Sequence, residues 1–521
     1  MSIDRLLEQD FGRIPELIGA HARERPEHPA LIEGARLLTF AELDAQMDRV
    51  AAALQRDGLE VGSVLAIGAA TSLSYALVFL GALRAGVVVA PLSPSSSADS
   101  LAAMLRDCGA KLLFADQGFA ATLAEASSPV AIQHIALDDS PVGPSFESWL
   151  APRGSTPLPV SIAPGGPFNI IYSSGTTGVP KGIVQPNVMR WGHVRRASDV
   201  GYGPGSVTII STPLYSNTTL VSFLPGVALG GTVVLLRKFD AETFLQTAQR
   251  HRVTHAMLVP VQYQRLLDFA GFDSFDLSSF VMKFCTSAPF AANLKAQILA
   301  RWPGGLIEYY GMTEGGGTCV LIAHLHPDKL HTVGQPAPEH DIRVVDDTGR
   351  ELPRGETGEV VGRSPLLMML GYHGQPDKTR DAEWHDVEGR RYIRTGDVGR
   401  FDEDGFLTLL DRKKDMIISG GFNVYPSDLE AVLATHPAVA DAAVFGVPSR
   451  AWGETPVACV VRRAGHPDSA EQLRVWVNER VGKLQRLHAI EIVDSLPRSA
   501  IGKVLKRELR DRYPEEPGAS R

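Results

Sequence analysis

Residues 172–182 read YSSGTTGVPKG, directly after the strand-like run FNIIY (168–172). A loop so rich in glycine and hydroxyl groups, ending in one lysine, has the ingredients of a phosphate cradle. Glycines expose backbone N–H groups, Ser173, Ser174, Thr176 and Thr177 carry hydroxyl donors, and Lys181 adds a point charge. It does not fit the P-loop pattern GxxxxGK[ST]. Counting from Gly175, the sixth position is Pro180, and Gly182 follows Lys181 where a hydroxyl is required. Taken alone, the run also suits a flexible surface turn. Emergence from a strand end favours a ligand loop, because open α/β sheets bind ligands there.

The surrounding chain supplies such a sheet. SVLAIG, SLSYALVFLGALRAG and VVVAPL read as strand, helix and strand, KLLFAD follows another helical stretch, and TIIST, TVVLL, THAMLVP and VMKFCTS add short β-branched runs separated by helical pattern. This alternation predicts parallel sheets covered by helices through about residue 340. From about Asp341 the texture changes to hairpins, RVVDDTGREL and GRFDEDGFLTLL. A compact segment of about 110 residues follows Asp411, long enough for its own domain. The expected boundaries are 1–411 and 412–521.

Across 521 residues, 44% are apolar and 21% charged, an ordinary globular balance. The net charge of -8 argues against general nucleic-acid binding. Cys108, Cys285, Cys319 and Cys459 show no metal spacing and read as buried free thiols of a reducing compartment. The N-terminus has acids where a signal peptide needs a basic and then an apolar run. The longest apolar run is broken by Arg84 and several glycines, so no membrane span is expected. A cytoplasmic protein is the expectation.

One pairing follows from turn geometry alone. If Asp404–Gly405 is a two-residue hairpin turn, positions summing to 809 face each other, and Asp397 and Arg412 form such a pair. An ordinary cross-strand ion pair would look the same. Ser427 and Glu430 have capping-box spacing for a following helix.

YSSGTTGVPKG, YYGMTEGG (309–316), the stretch 394–430 from RTGD to SDLE, and LPRSAIGKVLKREL (496–509) occur in this order. With these four motifs nearly the whole chain resembles the adenylate-forming superfamily of acyl- and aryl-CoA ligases, peptide-synthetase adenylation domains and beetle luciferases. The resemblance implies an α/β fold: a large N-terminal domain of helix-covered sheets with a β-barrel-like subdomain, and a small mobile α+β C-terminal domain. It implies ATP, Mg²⁺ and coenzyme A as cofactors and a small-molecule carboxylic acid as substrate.

By the same resemblance, Ser173, Ser174, Gly175, Thr176, Thr177 and Lys181 hold the β- and γ-phosphates. Tyr310, Gly311 and Met312 meet the nucleotide, Tyr310 stacking on adenine. Thr313 contacts the α-phosphate and Glu314 helps hold Mg²⁺. Ala288 and Pro289, in TSAPF, face adenine from the other side, although Thr286 and Ser287 replace the family's glycines. Asp397 and Arg412 bind the ribose hydroxyls, and Tyr392 stands in for an aromatic residue two positions before RTGD. Lys414 is the pivot between domains. Gly420 and Gly421 let the pantetheine arm pass close to backbone, where no side chain fits.

Lys503 neutralises the α-phosphate and the substrate carboxylate during adenylation. Trp452, with Arg450, Lys483 and Arg486, is a candidate for the CoA nucleotide; a solvated basic face is the alternative. Ser216, Asn217, Thr218, Thr219, Met257 and Gly315, Gly316 and Gly317 are expected to line the acyl pocket. The glycine trio is read as spare volume for an aromatic or similarly bulky acid.

SNTTLVSF follows PLY without the FDxS-type pattern of amino-acid-activating domains, and the chain ends about twenty residues after Lys503 without a carrier domain. A CoA ligase is therefore expected, an acyl-AMP ligase loading a separate carrier protein or a medium-chain fatty acid CoA ligase being the alternatives. A regulatory relative without activity is disfavoured by the joint presence of Glu314, Asp397, Arg412 and Lys503. Oligomeric state, a homodimer included, stays open.

Overall fold

In the computed structural model, residues 2–173, 181–419, 422–449, 452–499 and 502–513 are described, Ser173 and Leu484 by backbone alone. The chain divides into two compact units: Met1–Asp341 with Gly362–Ile393, and Ile342–Val361 with Arg394–Arg521. This division by compactness lies elsewhere than residue 412, because the hairpin strands 394–411 group with the C-terminal segment.

The first unit is built on two sheets. One has nine strands in the order Gln335–Pro336, Cys319–Ile322, Gly305–Tyr310, Met282–Cys285, His255–Leu258, Val207–Ile210, Thr232–Leu235, Pro29–Glu33 and Arg36–Thr39. Its six central strands are parallel and its margins antiparallel. The other has seven, ordered Gly371–Tyr372, Lys181–Pro186, Pro167–Ser173, Val88–Pro91, Val64–Gly68, Leu112–Ala115 and Gln133–Ala136.

The β-branched runs read from the sequence are these buried strands. Fully buried parallel strands carry apolar residues on both faces, so they lack alternation. Helices Phe40–Arg56, Leu73–Ala85 and Asn217–Ala228 share one core with both sheets, through Met47, Val50, Phe79, Leu80, Phe223, Ile67, Val89, Val233 and Phe284. Local chemistry fixes several ends. Thr39 closes a capping box with Glu42, and Gly86, at φ +73°, ends Leu73–Ala85 in the left-handed conformation that glycine adopts at least cost.

In the second unit, Ile417–Ser419, Phe422–Val424, Val439–Ser449, Gly453–Arg462 and Ala489–Ile492 form a sheet accompanied by helices Pro426–Ala434, Ala470–Asn478 and Lys506–Arg512. The hairpin strands belong to a five-stranded sheet in the order Asp341–Val345, Gly358–Arg363, Arg391–Phe401 and Glu383–His385, with Leu407–Arg412 also pairing with Arg391–Phe401. All four cysteines are buried and free. No helix among the described residues is long and apolar enough to cross a membrane.

Candidate active site

The strands Pro167–Ser173 and Lys181–Pro186 are antiparallel, with Ser173 opposite Lys181. They bracket the opening loop. Ser174, Gly175, Thr176 and Thr177 lie outside the described residues, as do Gly420, Gly421 and Arg450. Lys181 is half-buried, and its Nζ stands over the Tyr372 ring, 5.2 Å from the centroid.

Tyr310 ends the strand Gly305–Tyr310, and the chain then turns sharply through Gly311 to Gly317. Met312 packs against Ile183, Met369 and Ile393. The Thr313 carbonyl accepts the Gln185 amide at 2.6 Å. The Glu314 carbonyl accepts the Met369 N–H at 2.8 Å, and its carboxylate accepts the Tyr372 hydroxyl at 2.9 Å. Burial and this carboxylate both push the Tyr372 phenol well above its ordinary pKa, so it serves as a donor. A carboxylate held in place by a phenol has the hard-oxygen chemistry that would suit Mg²⁺.

Gly315, Gly316 and Gly317 have φ of +78°, +84° and +106°. A Cβ on Gly315 would lie 2.1 Å from the Leu367 carbonyl oxygen, and one on Gly316 2.9 Å from that of Gly362. All three glycines are thus required by backbone conformation, and Gly315 and Gly316 also by close backbone approach. Ala288 and Pro289 follow Ser287, a serine held at φ +80° where the family carries glycine. Its hydroxyl pairs with that of Thr218.

Of the expected acyl-pocket residues, Ser216 precedes helix Asn217–Ala228 as its N-cap, and Met257 is 2% exposed within the core. The Asn217 amide oxygen is turned onto Arg190.

In the second unit, Asp397 and Arg412 are directly opposed, with Arg412 Nε 2.8 Å from Asp397 Oδ1. Lys503 follows Gly502 in a tight loop closed by Arg498 pairing with Val504, before the helix rather than in it. Its ammonium is held down to a pKa of about 8, chiefly by burial and then by Arg412 and Lys414, against the pull of Asp397 and Asp415. At neutral pH it therefore keeps its charge. Lys414 lies in the turn after Arg412, whose carbonyl accepts from Asp415 and Met416.

Two local expectations fail. Helix Pro426–Ala434 is capped at Tyr425 without a side-chain bond. Ser427 bonds instead to Leu410 and Asp411, and Glu430 to the Val444 N–H and Lys506. Tyr392, in the first unit, is fully buried, its hydroxyl donating to Asp341 at 2.5 Å, so it stands in no open site within that unit.

Trp452 is 54% exposed and borders a cleft of about 460 Å³ lined also by Arg474, Lys483, Arg486 and His488. Gln185 and Tyr372, which the motif reading passed over, bond to Thr313 and Glu314, and Arg190 bonds to Gln185. The GY pair at 371–372 was the visible signal for the tyrosine.

The AMP-binding enzyme family profile matches residues 18–373, and that of the AMP-binding enzyme C-terminal domain matches 428–503. The chain belongs to the adenylate-forming superfamily.

Within it, this adenylate-forming enzyme is similar to a 4-coumarate–CoA ligase-like protein of Oryza sativa subsp. japonica, at 34% identity over 96% of this chain and 92% of the relative. A fatty acid–[acyl-carrier-protein] ligase of Streptomyces coeruleorubidus is 32% identical over 98% of both. In three dimensions the enzyme resembles the amide bond synthetase of Marinactinospora thermotolerans, with a TM-score of 0.85 and 29% identity over 96% of this chain and 100% of that one. It also resembles ATP-bound MatB of Rhodopseudomonas palustris, with a TM-score of 0.83 and 28% identity over 96% and 99%.

Proposed function

We propose that this enzyme joins a carboxylic acid to coenzyme A in two steps, through an acyl-adenylate. The observation that carries the reading is the opposed Asp397–Arg412 pair with Lys503 in its electrostatic reach, all three residues belonging to motifs of a family that uses ATP. An acceptor and a donor side by side suit the two ribose hydroxyls, and a lysine charged at neutral pH suits the meeting of two anions.

In the first step a carboxylate oxygen of the acid attacks the α-phosphorus of ATP, and the bond to pyrophosphate breaks. The chain supplies position and charge, as phosphoryl transfer demands. Tyr310, Ala288 and Pro289 flank the adenine, Thr313 contacts the α-phosphate, and the loop 173–177 with Lys181 holds the leaving phosphates. Glu314 would hold Mg²⁺, which would supply charge neutralisation at the phosphates. Lys503 neutralises the carboxylate and the α-phosphate as they approach. In the second step the CoA thiolate attacks the adenylate carbonyl and AMP leaves. Gly420 and Gly421 border the pantetheine path, with Lys414 as the pivot that exchanges them for Lys503.

The relatives differ in acceptor, whether CoA, a carrier protein or the amine of an amide bond. The cleft beside Trp452 favours CoA: an exposed indole offers a face for adenine, and Arg474, Lys483 and Arg486 offer cations for its phosphates. The similarity to a 4-coumarate–CoA ligase-like protein supports an aromatic or bulky hydrophobic acid. Acid-dependent exchange of labelled pyrophosphate into ATP tests the first step. Exchange with aryl acids is expected; absence of exchange with every acid overturns the reading.

A further inference from the structure

Arg190, in helix Asn187–Ala197, is 1% exposed, and no carboxylate among the described residues faces it. The buried Arg49 and Lys295 differ, each having an acid partner, Glu147 and Glu308. Arg190 Nη2 donates to Gln185 Oε1, to Asn217 Oδ1 at 2.8 Å and to Asn169 Oδ1 at 3.4 Å. Its Nε also reaches Asn169 Oδ1, at 3.4 Å, and the guanidinium lies 5.8 Å from the Phe168 ring centroid. Burying a guanidinium against neutral amides alone costs stability that an apolar side chain would not. Its contacts show what it does.

Arginine only donates, so it fixes which way each amide points. Gln185 must turn its oxygen to Arg190 and its NH2 group outward, and that group grips the Thr313 carbonyl at 2.6 Å. Were the amide reversed, two oxygens would face each other. Thr313 and Glu314 thus inherit their place from a buried cation two residues away in contact terms, and the same cation seats Asn217 at the start of helix Asn217–Ala228.

We propose that Arg190, acting through Gln185, is a positioning residue for adenylation: it holds the Thr313–Glu314 turn in register with the phosphates of Mg·ATP. This rests on the adenylation reading above.

The test compares Gln185→Leu, Arg190→Met and the double variant by thermal melting and by acid-dependent pyrophosphate exchange. Gln185→Leu alone strands a buried donor and lowers Tm; the double variant, apolar at both positions, recovers Tm. Misplacement of the turn predicts a fall in exchange kcat on the order of 100-fold, with a raised KM for Mg·ATP, that persists in the double variant. A double variant that melts like wild type and exchanges at the wild-type rate overturns the inference, leaving the function intact. A change confined to the KM of the acid also overturns it. Wild-type protein that exchanges with no acid overturns both.

Discussion

Asp397 and Arg412 face each other across an antiparallel ladder, and their side chains meet at 2.8 Å in a position where Arg412 also depresses the pKa of Lys503. Arg412 keeps 40% of its side-chain surface, so the ion pair adds no more than about 1 kcal/mol to stability. Arg412→Ala should therefore leave the melting temperature nearly unchanged. Its cost should fall on ATP, as a rise in KM of roughly 10- to 100-fold measured by pyrophosphate exchange, since one charge-assisted hydrogen bond to ribose contributes about 1.5–3 kcal/mol. A variant that melts early with an unaltered KM would make the pair structural.

Lys503 carries a proton below its pKa of about 8 and loses it above. The adenylation step needs the charge, so its rate should decline as pH rises through about 8. The sign is that of an essential acid form. Lys503→Arg, charged throughout this range, should flatten the decline, and Lys503→Ala should abolish adenylation while largely sparing thioester formation from a supplied acyl-adenylate. Equal loss of both steps in Lys503→Ala would contradict the assignment.

Tyr372→Phe removes the phenol that orients Glu314 and keeps the ring beneath Lys181. Partners of metal-ligating carboxylates typically matter 10- to 100-fold in metal affinity. A Mg²⁺ titration of pyrophosphate exchange should shift to about tenfold higher metal, with little change in Tm. An unshifted titration would detach Tyr372 from the metal site.

Gly315→Ala separates backbone need from pocket volume. A Cβ would collide with the Leu367 carbonyl, and φ +78° is disfavoured for alanine. Activity should fall uniformly across small and bulky acids. A selective loss of bulky acids would restore the volume reading.

The hairpin shows how a sequence argument succeeds for an incomplete reason. The turn has three residues, Glu403 to Gly405, between Asp402 and Phe406, so Phe401 faces Leu407 and the pairs near the turn sum to 808. A bulge between Val398 and Gly399 then leaves Leu410 unpaired and restores the sum of 809 at Asp397 and Arg412. Turn length and bulge cancel, and neither is visible in residue types.

The parallel strands were legible because burial on both faces leaves continuous β-branched runs, as in Thr232–Leu235. The motifs pointed to Glu314 and Lys503, but not to what holds them. MRWGHVRRA (189–197) looks like one basic helix, and nothing in it distinguishes the buried Arg190 from the exposed Arg195. Ser427 and Glu430 had the spacing of a capping box, yet tertiary partners claimed both side chains: the Ser427 hydroxyl donates to the Leu410 carbonyl, and the Glu430 carboxylate accepts from the Val444 N–H and pairs with Lys506.

The most direct measurement is AMP release from Mg·ATP with a panel of aromatic, medium-chain and short carboxylic acids, with and without coenzyme A. The account predicts stoichiometric AMP and acyl-CoA on a few aromatic or bulky acids, with sustained turnover only when CoA is present. Acyl-adenylate that forms but is never discharged by CoA, or turnover restricted to acetate and propionate, would contradict it.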